Sequence, residues 1–199
     1  MSVLSAHLLY ALAWVAFGLA HSALAVPAVK ARLRLGPYTR LAYNLFAVAT
    51  LLPVLALGRA LIDGAPFERP AWLAVGQGVA VAAGAAVFLW GLAGYDLGRF
   101  AGTTQIRAHR AGRFLDEDGP LRLDGAHRWM RHPLYAGGLL VLWGGVADPL
   151  SLATAVWASA YLLIGMMHEE RTLLVHHGQA YRDYRSRVPA LIPWRGRAL

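Results

Sequence analysis

The chain has 199 residues, a hydrophobic content of 57%, a charged content of 15% and a formal net charge of +8. Soluble domains average about 45–50% apolar and about 25% charged residues, so this composition excludes an ordinary soluble protein. Because there is no cysteine, disulfides, thiolate nucleophiles, iron–sulfur clusters and cysteine-ligated zinc are excluded as well. We expect residues 1–199 to form a single integral membrane domain.

Three long apolar runs occupy the first half of the chain, at residues 3–26, 38–62 and 72–98. Each is longer than the roughly 20 residues that a helix needs to cross the hydrocarbon core. The first run has no basic leader in front of it, so we expect it to remain as a membrane anchor. Residues 1–98 are therefore predicted to form three N-terminal transmembrane helices.

Two shorter apolar runs follow at residues 133–147 and 150–167, and only Asp148 and Pro149 separate the hydrophobic stretches. So short a connection predicts a tight helical hairpin. The first of these runs is short enough to begin in the headgroup region or to cross obliquely. The predicted fold is all-α, a polytopic bundle of about five transmembrane helices that ends in a C-terminal helical hairpin and a cytoplasmic tail.

The basic residues lie in short stretches between the apolar runs, a distribution that topology explains and that argues against nucleic-acid binding. Seven arginines lie between residues 99 and 131 and six follow residue 167, whereas the end of the second run and its connection to the third hold only Arg59 and Arg69. By the positive-inside rule, the loop at 99–131 and the C-terminus face the cytoplasm, and the N-terminus faces out. We take the membrane to be the bacterial inner membrane, with lipid as a partner.

The start of the fourth run brings polar groups to a predicted helix terminus. Pro133 is favoured in the first turn of a helix, so His132 and Tyr135 are expected near that end. The free N–H groups of such a terminus suit an anionic group, for example the carboxylate of a cofactor. Most glycines in the apolar runs are expected to let helices pack closely, but Gly137 and Gly138 could admit a cofactor against bare backbone.

Ionisable groups elsewhere permit other interpretations. A zinc site is conceivable where the fifth run ends, although no H-E-x-x-H spacing is present; its ligands would come from His168, Glu169, Glu170, His176 and His177. A haem held by His21 is an equally weak alternative, because a lone histidine in a helix is more often structural. For Asp96, pairing with Arg99 is the simplest explanation. No G-x-G-x-x-G follows a strand, so a Rossmann-type site is not supported.

The residues that follow the fifth run look like a polar tail that is too short for a core of its own. Gly178 is predicted to end the fifth helix. Beyond it, Val188 and Pro189 are expected to hold Arg187 in an extended segment against the bundle.

An ordered set of residues in the C-terminal third resembles the isoprenylcysteine carboxyl methyltransferase and phospholipid methyltransferase superfamily. The set consists of Arg131-His132-Pro133-x-Tyr135-x-Gly137, Glu169-Glu170, Gly178-x-x-Tyr181-x-x-Tyr184 and Arg187-Val188-Pro189-x-x-Ile192-Pro193. Features of the first half are similar to a narrower branch that includes methanethiol S-methyltransferase and a denitrification-associated membrane protein. Those features are His21-Ser22-x-x-Ala25, Lys30, Tyr38-x-Arg40-x-x-Tyr43-Asn44, Tyr95-Asp96 and Gln105.

The resemblance implies a membrane methyltransferase that uses S-adenosyl-L-methionine. The cofactor would be enclosed by the last two helices and the C-terminal tail. The resemblance also implies a cofactor-binding set made of His132, Tyr135, Gly137, Glu170 and Tyr181. The implied catalytic residues are Arg187 and Glu169, which would face the methyl acceptor. We expect no resident metal.

The acceptor class stays open at this point. A small or lipophilic thiol is the leading expectation, and a prenylcysteine carboxylate or a phospholipid is the alternative. A non-catalytic membrane protein of nitrogen-oxide metabolism, or a haem-binding bundle, is a third interpretation. The sequence sets no oligomeric state.

Overall fold

A computed structural model describes residues 1–113, 115 and 121–194. Within these residues all regular secondary structure is helical, which confirms the all-α class. The α-helices are α1 (Val3–Ala25), α2 (Pro27–Leu33), α3 (Thr39–Leu61), α4 (Ala71–Ala93), α5 (Leu97–Ala101), α6 (Thr103–Arg110), α7 (Pro133–Gly144) and α8 (Pro149–Arg187). Short 3₁₀ helices cover Gly36–Tyr38 and Gly125–Arg128.

Four helical stretches are long and apolar enough to cross a membrane: Val3–Ala25, Gly36–Leu61, Ala71–Ala93 and Pro149–Arg187. The outer face of α4 shows why these helices suit lipid, because Val75, Val79 and Leu89 are each more than 60% exposed. Apolar exposure on this scale is unfavourable in water and ordinary in lipid. The structure is therefore that of a polytopic helical membrane protein.

The fourth predicted span is shorter than the others. Helix α7 has 12 residues, which at about 1.5 Å per residue give roughly 18 Å of length, against a hydrocarbon core of about 30 Å. The sequence predicted a short run here, and the structure makes it shorter still, because the helix ends at Gly144. Asp148 then begins α8 with a capping box, in which its side chain accepts from the Ser151 backbone N–H at 2.7 Å. The predicted helical hairpin is thereby confirmed.

The described residues divide into two compact units. The first comprises residues 1–64 and the described part of 95–118, and the second comprises residues 65–94 and the described part of 119–199. In the first unit α1 packs on α3, and the side chains of Tyr10, Trp14 and Phe17 are buried along one stripe of α1. The turn between α5 and α6 also lies on α3, where Gly102 has φ +93° and the position of a Cβ on it would be 2.7 Å from the Leu41 nitrogen. Only glycine fits this close approach.

In the second unit α7 packs between α4 and α8. Its contact with α4 is made through glycines on both helices: a Cβ on Gly84 would lie 2.8 Å from the Gly137 carbonyl oxygen, and one on Gly144 would lie 2.8 Å from the Gln77 carbonyl oxygen. On the opposite side the Trp143 indole N–H donates to the Ser159 hydroxyl of α8 at 3.0 Å. The predicted packing role of the helical glycines is confirmed for Gly84 and Gly144.

The end of α8 differs from the prediction that Gly178 stops the helix. The helix continues to Arg187, and Gly178 forms a kink at φ +52°, ψ −120°. Beyond the kink, Tyr181, Tyr184 and Val188 form a buried cluster, against which Leu121, Leu173 and Leu174 pack. The tail is thus part of the folded core of this unit. The expectation that Arg187 lies in an extended segment was wrong, because α8 continues to Arg187 and buries Tyr181 and Tyr184 along one helical face.

Candidate functional site

The two halves of the C-terminal motif meet at the start of α7. The backbone N–H of Arg131 donates to the Pro189 carbonyl at 2.9 Å, and the N–H of His132 donates to the Ala190 carbonyl at 3.0 Å. These bonds fix residues 188–190, which we call the C-terminal segment, on the residues that precede α7. Groups almost sixty residues apart in sequence are therefore neighbours.

The Glu170 carboxylate is the centre of this arrangement. Its Oε1 accepts from Arg131 Nε at 2.8 Å and from Arg131 Nη2, and His132 Nε2 lies 3.1 Å away. The side chains of Arg131 and Glu170 are only 9% and 12% exposed. A carboxylate that is so well buried needs opposite charge and hydrogen bonds to offset the loss of hydration. Arg131 supplies both.

The second oxygen of Glu170 is much less occupied. Its closest ionic contact is with Arg185 Nε at 3.6 Å, and the Arg185 side chain is half exposed. A carboxylate oxygen can accept two hydrogen bonds. Glu170 Oε2 therefore keeps capacity for a cationic group of a ligand.

Glu169 occupies a different environment from its neighbour in the sequence. Its side chain is 44% exposed, and its Oε2 lies 3.8 Å from His132 Nδ1, a long distance for an ionic contact. The His132 ring is 3% exposed, and it lies between the two carboxylates because its two nitrogens face one glutamate each. This arrangement leaves Glu169 accessible and holds the imidazole in one orientation.

Two tyrosines complete the cluster. The Tyr135 ring is edge-on to His132 with the centroids 5.4 Å apart, and its hydroxyl reaches the α8 backbone beside Gly165. Tyr181 is 1% exposed. Its hydroxyl is close enough to Glu170 and Arg131 to interact with both electrostatically, yet it makes no hydrogen bond of ordinary geometry among the described residues. The described residues therefore leave part of the hydrogen-bonding capacity of this buried hydroxyl unfilled.

A second layer supports the site from the 3₁₀ helix Gly125–Arg128. The Tyr184 hydroxyl donates to the His127 carbonyl at 2.7 Å, and His127 Nδ1 lies 3.1 Å from the Arg131 carbonyl oxygen. Because that oxygen is an acceptor, Nδ1 carries the proton. Burial lowers the pKa of His127 below its usual value of 6.5.

The predicted site residues are only partly assembled. His132, Tyr135, Glu169, Glu170 and Tyr181 come together, whereas Arg187 is exposed and is not among the described partners of either glutamate.

Gly137, a predicted cofactor-binding residue, lies closely against α4. A Cβ on it would lie 2.6 Å from both the Gly84 oxygen and the Phe88 nitrogen, so its bare backbone is already filled by α4. Gly138, by contrast, has a single neighbour, a Leu162 methyl at 4.0 Å. The structure therefore gives Gly137 a packing role.

Sequence reasoning gave no role to Arg131, Arg185 or Tyr184, all of which contact the cluster. Arg131 stood in the quoted motif, next to His132. In the sequence it is a single arginine at the start of an apolar run, a pattern that is equally typical of a residue anchored at the membrane interface. The pairing with Glu170 across 39 residues is visible only in three dimensions.

The other candidate residues lie in the first unit or take structural roles. His21 Nδ1 is 3.0 Å from the Tyr43 hydroxyl, and its ring stacks on Phe17. Asp96 caps α5 by accepting from the Arg99 backbone N–H at 2.9 Å. In the described ranges, no three His, Asp or Glu side chains are grouped closely enough to hold a metal ion.

Part of the chain is similar in sequence to known enzymes. It is 40% identical over 72 residues to a methanethiol S-methyltransferase of Mycobacterium tuberculosis, a match that covers 34% of the chain and 28% of that protein. It is 39% identical over 74 residues to a methanethiol S-methyltransferase of Crocosphaera subtropica, covering 36% and 28%. It is also 41% identical over 68 residues to methanethiol S-methyltransferase 2 of Bradyrhizobium diazoefficiens, covering 34% and 26%.

No family model and no solved structure matches the chain. The matched stretch spans little more than a quarter of the length of each of these curated relatives. Over about a third of its own length, the chain is similar in sequence to methanethiol S-methyltransferases.

Proposed function

We propose that the chain is an integral membrane methyltransferase that uses S-adenosyl-L-methionine and methylates a small or lipophilic thiol. The observation that supports this most is the convergence of His132, Glu170 and the C-terminal segment into one buried polar cluster. The partial sequence relation to enzymes named methanethiol S-methyltransferase supports the choice of a thiol over other acceptors.

The residues present fit a zwitterionic, positively charged cofactor. Glu170 Oε2 would take its ammonium group, and the Tyr181 hydroxyl, which has no described hydrogen-bond partner, would bond a polar atom of it. The rings of Tyr135 and Tyr181 would face its cationic end, since aromatic faces attract cations. His132 would help to hold it beside the start of α7. When bound, S-adenosyl-L-methionine would supply a methyl group on a positively charged sulfur.

The remaining groups suit the acceptor. A thiol is a better nucleophile as its thiolate, and an adjacent arginine lowers the pKa of the thiol, which increases the fraction of thiolate. Arg187 is the proposed source of that charge, and Glu169, accessible beside His132, is the proposed hydrogen-bond partner of the thiol. Orientation of the two reactants contributes further, because fixed reactants avoid an entropic cost of several kcal/mol, roughly 7–11 in ideal cases.

A direct assay tests the proposal. Protein purified in lipid nanodiscs is incubated with methyl-labelled S-adenosyl-L-methionine and one acceptor in each of three reactions. The acceptors are methanethiol, a prenylcysteine and phosphatidylethanolamine. We expect labelled dimethyl sulfide from the first acceptor. Product from prenylcysteine or phosphatidylethanolamine alone would move the acceptor assignment to those classes, and the absence of any product would refute the enzyme assignment.

A further inference from the structure

We propose that Arg131 is a positioning residue, which joins the C-terminal segment to Glu170 and thereby holds the site in its binding-competent form. The inference rests on the proposed function for its kinetic consequence, but not for its structural one. Arg131 is not among the residues assigned to the cofactor or to the acceptor.

The guanidinium of Arg131 binds two separate parts of the chain at once. Nε and Nη2 donate to the Glu170 carboxylate on α8. Nη1 donates to the carbonyl of Val188 and, at 3.4 Å, to that of Arg185. The planar fork of five N–H donors suits this double engagement, since its edges point in fixed directions.

The backbone of the same residue repeats the link. Its N–H donates to the Pro189 carbonyl, and the next N–H, of His132, donates to that of Ala190. The side chain and the backbone of Arg131 therefore hold successive carbonyls of the C-terminal segment. Segments with few local hydrogen bonds depend on such tertiary contacts for their order.

A lysine at position 131 separates charge from geometry. An ammonium group is a compact point charge that can pair with Glu170, but it lacks the fork that reaches Val188 at the same time. We expect Arg131→Lys to keep the ion pair and to release the C-terminal segment. Arg128→Lys, at an exposed position three residues earlier, is the matched control.

The first measurement is amide hydrogen exchange of the protein without ligand. In Arg131→Lys, the amides of residues 131 and 132 should exchange about tenfold faster than in the unchanged protein, the effect expected when a hydrogen bond from a charged group is lost. In Arg128→Lys they should exchange at the original rate. Unchanged exchange in Arg131→Lys would overturn the proposal.

The second measurement is the division of the kinetic effect between KM and kcat. When only a fraction of the molecules has an ordered segment, the apparent affinity falls by that fraction while saturating ligand restores the competent form. We expect the KM for S-adenosyl-L-methionine to rise about tenfold with kcat nearly unchanged. Residue 131 acting only in global stability would lower the active fraction at constant KM, a result that contradicts the proposal.

If Arg131→Lys does not fold, Glu170→Gln serves instead, because the neutral isostere weakens the same link; unchanged exchange at residues 131 and 132 in that variant would also overturn the proposal. If the unchanged protein methylates nothing, the proposed function fails, and the exchange measurement still decides the role of Arg131.

Discussion

Glu169 and Glu170 illustrate how neighbouring identical side chains acquire different roles. Helical geometry rotates consecutive residues by about 100°, so only one of the two faces the buried cluster. Glu170 is buried against Arg131, and Glu169 is nearly half exposed. Glu170 is held by its contacts within the protein, and Glu169 is accessible to a ligand.

This difference predicts that the same substitution, glutamate to glutamine, affects stability at position 170 and turnover at position 169. Glu170→Gln should lower the free energy of unfolding by roughly 2 kcal/mol, because it removes one partner of a buried, hydrogen-bonded ion pair. Glu169→Gln should leave stability within about 0.5 kcal/mol, as at other accessible sites, and lower turnover about 100-fold. Denaturation in detergent micelles and the labelled-methyl assay measure these effects. Glu68→Gln, at an exposed position outside the cluster, is the control and should change neither.

His127 connects the pH of the solution to the stability of the same cluster. Burial lowers its pKa in the folded protein, so the unfolded chain binds a proton more readily than the folded chain does. Stability then falls as the pH drops below the unfolded value of about 6.5, because protons favour the state that binds them.

We therefore expect the thermal midpoint to decrease between pH 7.5 and pH 5.5, partly through His127. His127→Gln, which keeps a donor near the Arg131 carbonyl, should reduce the slope of midpoint against pH. The matched variant His109→Gln alters an exposed position and should leave the slope unchanged. A slope that is the same in all three proteins would show that His127 does not titrate on unfolding.

At the scale of elements, α7 has two faces with different tasks. One face carries Gly137 and Gly144, seven residues apart, and lies on the backbone of α4. The other carries Tyr135 and Trp143 toward α8. Close glycine packing on the first face holds the polar cluster on the second in a fixed position.

The adjacent glycines of α7 give a matched test of this division. Gly137→Ala would place a methyl 2.6 Å from backbone atoms of α4, which cannot yield without moving a helix. We expect a loss of about 1–3 kcal/mol, typical of overpacking, and a lower thermal midpoint. Gly138→Ala meets only a methyl at 4.0 Å and should be neutral or slightly stabilising. Equal stability of the two variants would contradict the packing role of Gly137.

Much of the architecture could be predicted from the sequence because apolar length alone identifies a membrane helix. The kink at Gly178 could not, since glycine is equally suited to a helix end and to a bend, and the buried faces of Tyr181 and Tyr184 decide between them. The cluster and the separate roles proposed for Glu169 and Glu170 came from the resemblance, but the different burial of the two side chains could not be predicted. The burial depends on which side of α8 faces Arg131, a tertiary property.

At the scale of the whole molecule, the distribution of charge predicts an orientation in the membrane. Basic residues concentrate between residues 99 and 131 and after residue 167, and the connection between α3 and α4 has few. The positive-inside rule then places Ser186 in the cytoplasm and Gly64 outside. In this predicted orientation the polar cluster would be reached by the proposed cofactor from the cytoplasm.

The absence of native cysteine makes this orientation directly measurable. Gly64 and Ser186 are both exposed, so single substitutions Gly64→Cys and Ser186→Cys should be tolerated. In intact cells a membrane-impermeant maleimide should label Gly64→Cys, and it should label Ser186→Cys only after permeabilisation. The unchanged protein is the blank. Labelling of Ser186→Cys in intact cells would place the cluster on the outer side, where S-adenosyl-L-methionine made inside the cell could not reach it, and would contradict the proposed function as well as the topology.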